Sequence, residues 1–154
     1  MKIQATPGVV GIGVPSLYLL FALAAPAQQP GPKITNASTP TYATFDVPGA
    51  GTGSGQGTFA LSVNALGAIT GYYYDASGVV HGFARAPGGN IASFDPPGSM
   101  DTIPRSINAA GTITGYYADA ARTNHGFVRA AHGAITTFDV PGAGTGHGQG
   151  TRMP

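Results

Sequence analysis

Two histidines and five aspartates have the chemistry to hold a ligand or move a proton, and their spacing is regular. His81 and His125 lie 44 residues apart, as do Asp75 and Asp119, and Asp95 and Asp139; Asp46 precedes Asp95 by 49. An imidazole can ligate a metal or shuttle a proton. A zinc site, however, wants three or four close ligands, and each copy of the pattern supplies one histidine. The preferred reading is structural: a strand histidine that bonds a neighbouring strand through a ring nitrogen while its ring packs. Asp46, Asp95 and Asp139 stand before Pro-Gly loops and are candidate ligand-facing carboxylates, of the kind that could hold a cation. The competing and preferred reading is an aspartate bonding its own turn, and Asp75 and Asp119 read the same way. A glycosidase needs two carboxyls in different environments, and equivalent turn positions offer no such asymmetry. No catalytic, metal-binding or cofactor-binding residue is assigned.

Two further stretches invite a functional reading. The loop 49–57, GAGTGSGQG, resembles a phosphate cradle, but it lacks the Gly-Lys-Ser/Thr ending and the helix that would follow. Tyr72, Tyr73, Tyr74, Tyr116 and Tyr117 could stack on a sugar. Strand alternation buries at least one of each run, so part of such a platform is lost to the core.

These residues recur because the sequence does. Residues 59–95 and 103–139 align without a gap and agree at 20 of 37 positions. Such a tandem repeat decides architecture before any local pattern does. Gly and Pro divide each copy into four short β runs. In the first, Phe59, Leu61 and Val63 alternate with small or polar residues, which predicts one buried face. A three-residue loop, 76–78, with a left-handed Gly78 would set Asp75 opposite Val79, Tyr73 opposite His81 and Tyr72 opposite Gly82. The Tyr72 ring is expected to cover Gly82, and Tyr116 to cover Gly126. The second loop, 120–122, has Arg122 in place of the glycine, so a different turn is expected there. Phe83 and Phe127 are the expected core anchors. Each copy ends in Phe-Asp and a Pro-Gly loop, and residues 45–58 and 138–151 differ only at Ser54 versus His147.

Residues 1–27 read as a secretory signal peptide. Lys2 precedes an apolar run and Ala25-Pro26-Ala27 supplies the small-x-small cleavage pattern. A membrane span competes, but the run is short, holds Pro15 and has no basic stop-transfer cluster after it. Residues 28–41 are proline-rich and read as a flexible leader. Beyond residue 27 the chain has six Asp, no Glu, one Lys and five scattered Arg, which argues against nucleic acid as a partner. Cysteine is absent, so stability must come from burial and sheet pairing.

The order Ile/Val-Asn-x-x-Gly-x-Ile-x-Gly-Tyr, followed by His81-Gly82-Phe83 or His125-Gly126-Phe127, resembles the bacterial extracellular repeats named for a His-Ala-Phe (HAF) motif. The resemblance covers residues 44–151 and implies export and a β-propeller-like array; it implies no established chemistry. The expected fold is all-β, two four-stranded blades of an incomplete propeller, with an open sandwich or curled sheet as the alternative. The expected parts are a strand at 42–46, repeats at 58–95 and 102–139, a truncated third repeat at 140–151 and a terminus at 152–154. The expected function is that of a secreted, periplasmic or surface-located non-catalytic module. It would bind a glycan, surface polymer or protein and need no cofactor. The alternative is a fragment of a propeller enzyme, a glycan hydrolase or lyase, with catalytic residues in other blades. Two blades would leave outer faces bare, so self-association is expected.

Overall fold

A computed structural model describes residues 41–152. The expected signal peptide and nearly all of the leader lie outside the described residues. From Tyr42 onward the chain forms one compact all-β unit. Its strands are β1 (Gly57–Val63), β2 (Ile69–Tyr74), β3 (Val80–Arg85), β4 (Ile91–Phe94), β5 (Asp101–Ile107), β6 (Ile113–Ala118), β7 (Asn124–Arg129) and β8 (Ile135–Phe138). No helix occurs among the described residues.

Each run of four strands is an antiparallel meander, and the eight strands make one open sheet. The registers match at an offset of 44: Tyr72↔Gly82 and Tyr73↔His81 in the first meander, Tyr116↔Gly126 and Tyr117↔His125 in the second. Both hairpin loops close the same way, contrary to the expectation for residues 120–122. Gly78 has φ +83° and Arg122 has φ +63°. A side chain in this left-handed region is strained. Arg122 is held there by its guanidinium on Asp101 and by its carbonyl, which accepts a bond from Gly148 N–H at 2.8 Å.

The meanders meet at β3 and β5. β4 pairs with Gly82–Arg85 of β3, while Asp101 of β5 pairs in parallel with Val80, farther along the same edge. β5 then packs across the first meander at Gly82, where an added Cβ would lie 3.0 Å from both Pro104 Cγ and Thr102 Cγ2. Side-chain bonds join the meanders, two of them at the β1 side of the first. Asn64 donates Nδ2–H to the Asn108 carbonyl at 3.0 Å, and Ile107 N–H donates to Ser62 Oγ at 3.3 Å. Asn64 Oδ1 meanwhile accepts from Leu66 and Ala68 in its own turn.

Two apolar clusters result. Phe127, Ile113, Ile107 and Tyr117 pack with Phe94, Ala84 and Ala68 of the first meander. Phe83 and Tyr73 pack with Val47, Phe45 and Ala50. Phe83 and Phe127 are both fully buried. Residues 42–46, expected as a strand, form none: no ladder partner lies beside them, and Phe45 and Val47 hold the segment by side-chain packing and by Val47 N–H donating to Thr58 Oγ1 at 2.9 Å. The expected buried face of β1 is also absent, with Leu61 40% and Val63 65% exposed. A bulge between Ala60 and Ser62 breaks the alternation on this edge strand.

Candidate functional site

The histidines and aspartates do come together, as two Asp–His–Asp clusters. Asp75 opens the β2–β3 loop, and its Oδ1 accepts bonds from Ser77 and Val79 N–H, both at 2.8 Å, as an aspartate at a turn does. Its other oxygen lies 3.5 Å from His81 Nε2. His81 Nδ1 is 2.7 Å from Asp95 Oδ2, and Thr102 donates to Asp95 Oδ1 at 2.5 Å. The second cluster repeats this arrangement. Asp119 Oδ1 accepts from Thr123 N–H at 2.8 Å, His125 Nε2 lies 3.2 Å from Asp119 Oδ2, and Nδ1 is 2.9 Å from Asp139 Oδ1. Each imidazole also packs on the tyrosine across its strand pair, Tyr73 at 5.2 Å and Tyr117 at 5.0 Å between centroids.

The electrostatics follow from this geometry. Burial works to lower the pKa of both histidines, but the flanking carboxylates outweigh it and raise them above the ordinary 6.5. Asp75 is held below its ordinary value chiefly by the Val79 amide, and Asp119 by the Thr123 amide, each helped by its histidine. A ring with a carboxylate at both nitrogens has no free lone pair to accept a substrate proton or ligate a metal. Among the described residues no three His, Cys, Asp or Glu side chains are placed to hold a metal ion. What these clusters do is fasten a hairpin loop to the chain leaving β4 or β8.

Contrary to the expectation that they would bond their own turns, Asp95 and Asp139 face the histidines, because β4 and β8 end beside the His-bearing strands. Asp46 is exposed, and no histidine meets it. The ring over Gly82 is not Tyr72. The atoms nearest an added Cβ belong to Pro104, Thr102 and Phe94, and at Gly126 all belong to Phe138. Phe94 reaches Gly82 from the other neighbouring strand, and Tyr72 stacks instead on Phe59 at 5.0 Å. Tyr73, Tyr116 and Tyr117 are buried, while Tyr72 and Tyr74 remain part-exposed. The glycine loop is filled from within: Gln56 Oε1 accepts from Gly53 N–H at 2.9 Å, and Gln149 Oε1 from Gly146 N–H at 3.0 Å.

Sequence reasoning missed a groove between the meanders. It has a volume of about 310 Å³ and is lined mainly by Ala68, Ala84, Ile91 and Ile113, with Arg85 and Arg129. The Arg85 guanidinium lies over Phe45 at 4.9 Å and that of Arg129 over Phe94 at 4.7 Å. The Nε of each is buried with no hydrogen-bond partner. Among the described residues neither guanidinium is ion-paired to a carboxylate, and Arg122 alone of the arginines is. The signal was the recurrence of Arg at an offset of 44 within an otherwise charge-poor chain. Also missed were Thr58, Thr102 and Thr151, whose hydroxyls tie each Phe-Asp loop to the strand or loop after it. Comparison of the chain with protein-family models, with curated proteins and with solved structures gave no match.

Proposed function

We propose that the chain is a non-catalytic, exported β-repeat module of propeller-type blades, and that the groove between its meanders binds an anionic surface polymer such as a uronate-bearing glycan. The observation that carries this is the pair of guanidiniums, Arg85 and Arg129, lining an apolar groove with no carboxylate paired to them among the described residues. Arginine presents a planar donor fork that matches a carboxylate, and the apolar walls suit the hydrophobic face of a sugar ring. The blade reading is supported by the matched registers and by the second meander lying on the first through β5. Catalysis is disfavoured by the closed histidine clusters. The lowered pKa of Asp75 and Asp119 is the opposite of what a general acid in glycoside cleavage needs.

Affinity electrophoresis in gels cast with polygalacturonate or with neutral dextran tests the reading. Retardation is expected in the uronate gel alone, weakening with added salt, and abolished in the Arg85→Gln/Arg129→Gln variant. Arg105→Gln, outside the groove, should run as the parent. Equal retardation by dextran, or unchanged retardation of a double variant that still melts cooperatively, overturns it.

A further inference from the structure

One joint is built twice in this molecule. Phe45 meets the Phe83 ring edge-on, with centroids 6.0 Å apart at 71°, and Arg85 covers its face. Phe94 meets Phe127 in the same way, 5.9 Å apart at 75°, and Arg129 covers it. A third copy of the inserting half exists without a socket. Phe138 lies over Gly126 as Phe94 lies over Gly82, yet it is 43% exposed and no guanidinium or aromatic ring faces it among the described residues. The segment behind it is preformed. Val140 N–H donates to Thr151 Oγ1 at 2.9 Å, as Val47 N–H does to Thr58 Oγ1, and residues 138–151 are the sequence of 45–58 but for His147 in place of Ser54.

We infer that Phe138 and its loop form a docking surface for a second copy of this chain. They enter the socket of the partner's Phe83 and the partner's Arg85 in place of that copy's own residues 45–56, which precede β1. Near-identity of the two segments makes the exchange close to neutral inside the socket. The resident segment is held by side-chain packing and not by a ladder: residues 41–49 pair with no strand, Ala50 makes a single bridge to Asp75, and Phe45, Val47 and the Val47–Thr58 bond are all features that residues 138–151 can reproduce. The surface is a continuation of the interface already present between the meanders. Such a head-to-tail contact uses different patches on the two copies and propagates into open chains unless its rotation closes a ring. It shares Arg85 with the polymer groove, but Phe45, Phe83 and Phe138 do not line that groove, so Phe138→Ser reads the association without touching the polymer site.

Sedimentation equilibrium of the full chain over a hundredfold range of concentration reads the association directly. Mass should rise with concentration, and Phe138→Ser should weaken association about tenfold or more with little change in melting, because the ring is part-exposed. A synthetic peptide of residues 138–151 should break the assemblies by occupying the socket; the same peptide carrying Phe138→Ser should not. A wild-type chain that stays monomeric throughout overturns the inference. So does a Phe138→Ser chain, or a peptide-treated one, that associates as the wild type does.

Discussion

Gly82 and Gly126 hold equivalent positions in β3 and β7, both buried and neither at positive φ, yet alanine should affect them differently. The backbone accepts alanine at both, and loss of glycine's unfolded-state freedom contributes roughly 0.4–1 kcal/mol in its favour. At Gly82 the new methyl meets Pro104 and Thr102 at 3.0 Å and the Phe94 ring at 3.1 Å. Those atoms belong to β5 and to a ring wedged against Phe127, so none can withdraw without parting the meanders. Overpacking of this kind costs about 1–3 kcal/mol. The net loss for Gly82→Ala is then about 1–2 kcal/mol. At Gly126 the three atoms nearest the methyl all belong to the Phe138 ring, at 2.5–3.0 Å, and that ring, 43% exposed, has room to swing toward solvent. A shifted ring costs about 0.5–1.5 kcal/mol, which the entropy gain nearly cancels. Urea unfolding of the two variants should differ by about 1–2 kcal/mol, or several degrees in Tm. Pro104→Ala should recover part of the loss in the Gly82→Ala background and none in the Gly126→Ala background. Equal costs at the two glycines would refute the claim that β5 cages one and not the other.

Phe83→Ala and Phe127→Ala should each destabilise by about 3–5 kcal/mol in urea, since both rings are fully buried in clusters of matching make-up; a cost under about 1 kcal/mol at either would contradict the packing. Stability should also depend on pH. The raised histidine pKa values give a contribution present in full below pH 6.5 and lost as pH climbs through the folded values. The lowered values of Asp75 and Asp119 give one present above pH 3.8 and lost as pH falls through theirs. Melting temperature should therefore fall from pH 6 to pH 8.5 in the wild type and stay flat in His81→Gln/His125→Gln; the same slope in both would show that the clusters do not fasten their loops.

The sequence made some of this fold legible and hid the rest for one physical reason. Glycine and proline mark local geometry, so strand limits and the pairing of Tyr73 with His81 could be counted from a three-residue loop. Contacts between strands distant in sequence leave no such mark. The partner of Asp95 is Thr102 on β5 and His81 on β3, and the cover of Gly82 comes from Phe94 and Pro104. None of these follows from a two-residue period. Alternation failed in β1 for the same cause: which face of a strand is buried depends on what lies across it, and a bulge there shifts the phase. Arg122 shows that a turn's shape can survive loss of its glycine when neighbours hold the strained residue in place.

The Asn64–Asn108 bond has a kinetic consequence. Strand pairs within a meander join residues close in sequence, and this tie between meanders spans only 44 positions. A further copy of the unit would bring ties of about that span, like the Ser62–Ile107 bond, and not ones that grow with the chain. Mean contact separation relative to chain length would thus fall as the array grows, which is the opposite of what happens when a β-sandwich or Greek key gains strands. Loop-closure entropy is incurred once per unit at a fixed size. A chain wired in this way can fold as it is made, each unit docking on the one already formed, and the time to acquire structure scales with synthesis rather than with size.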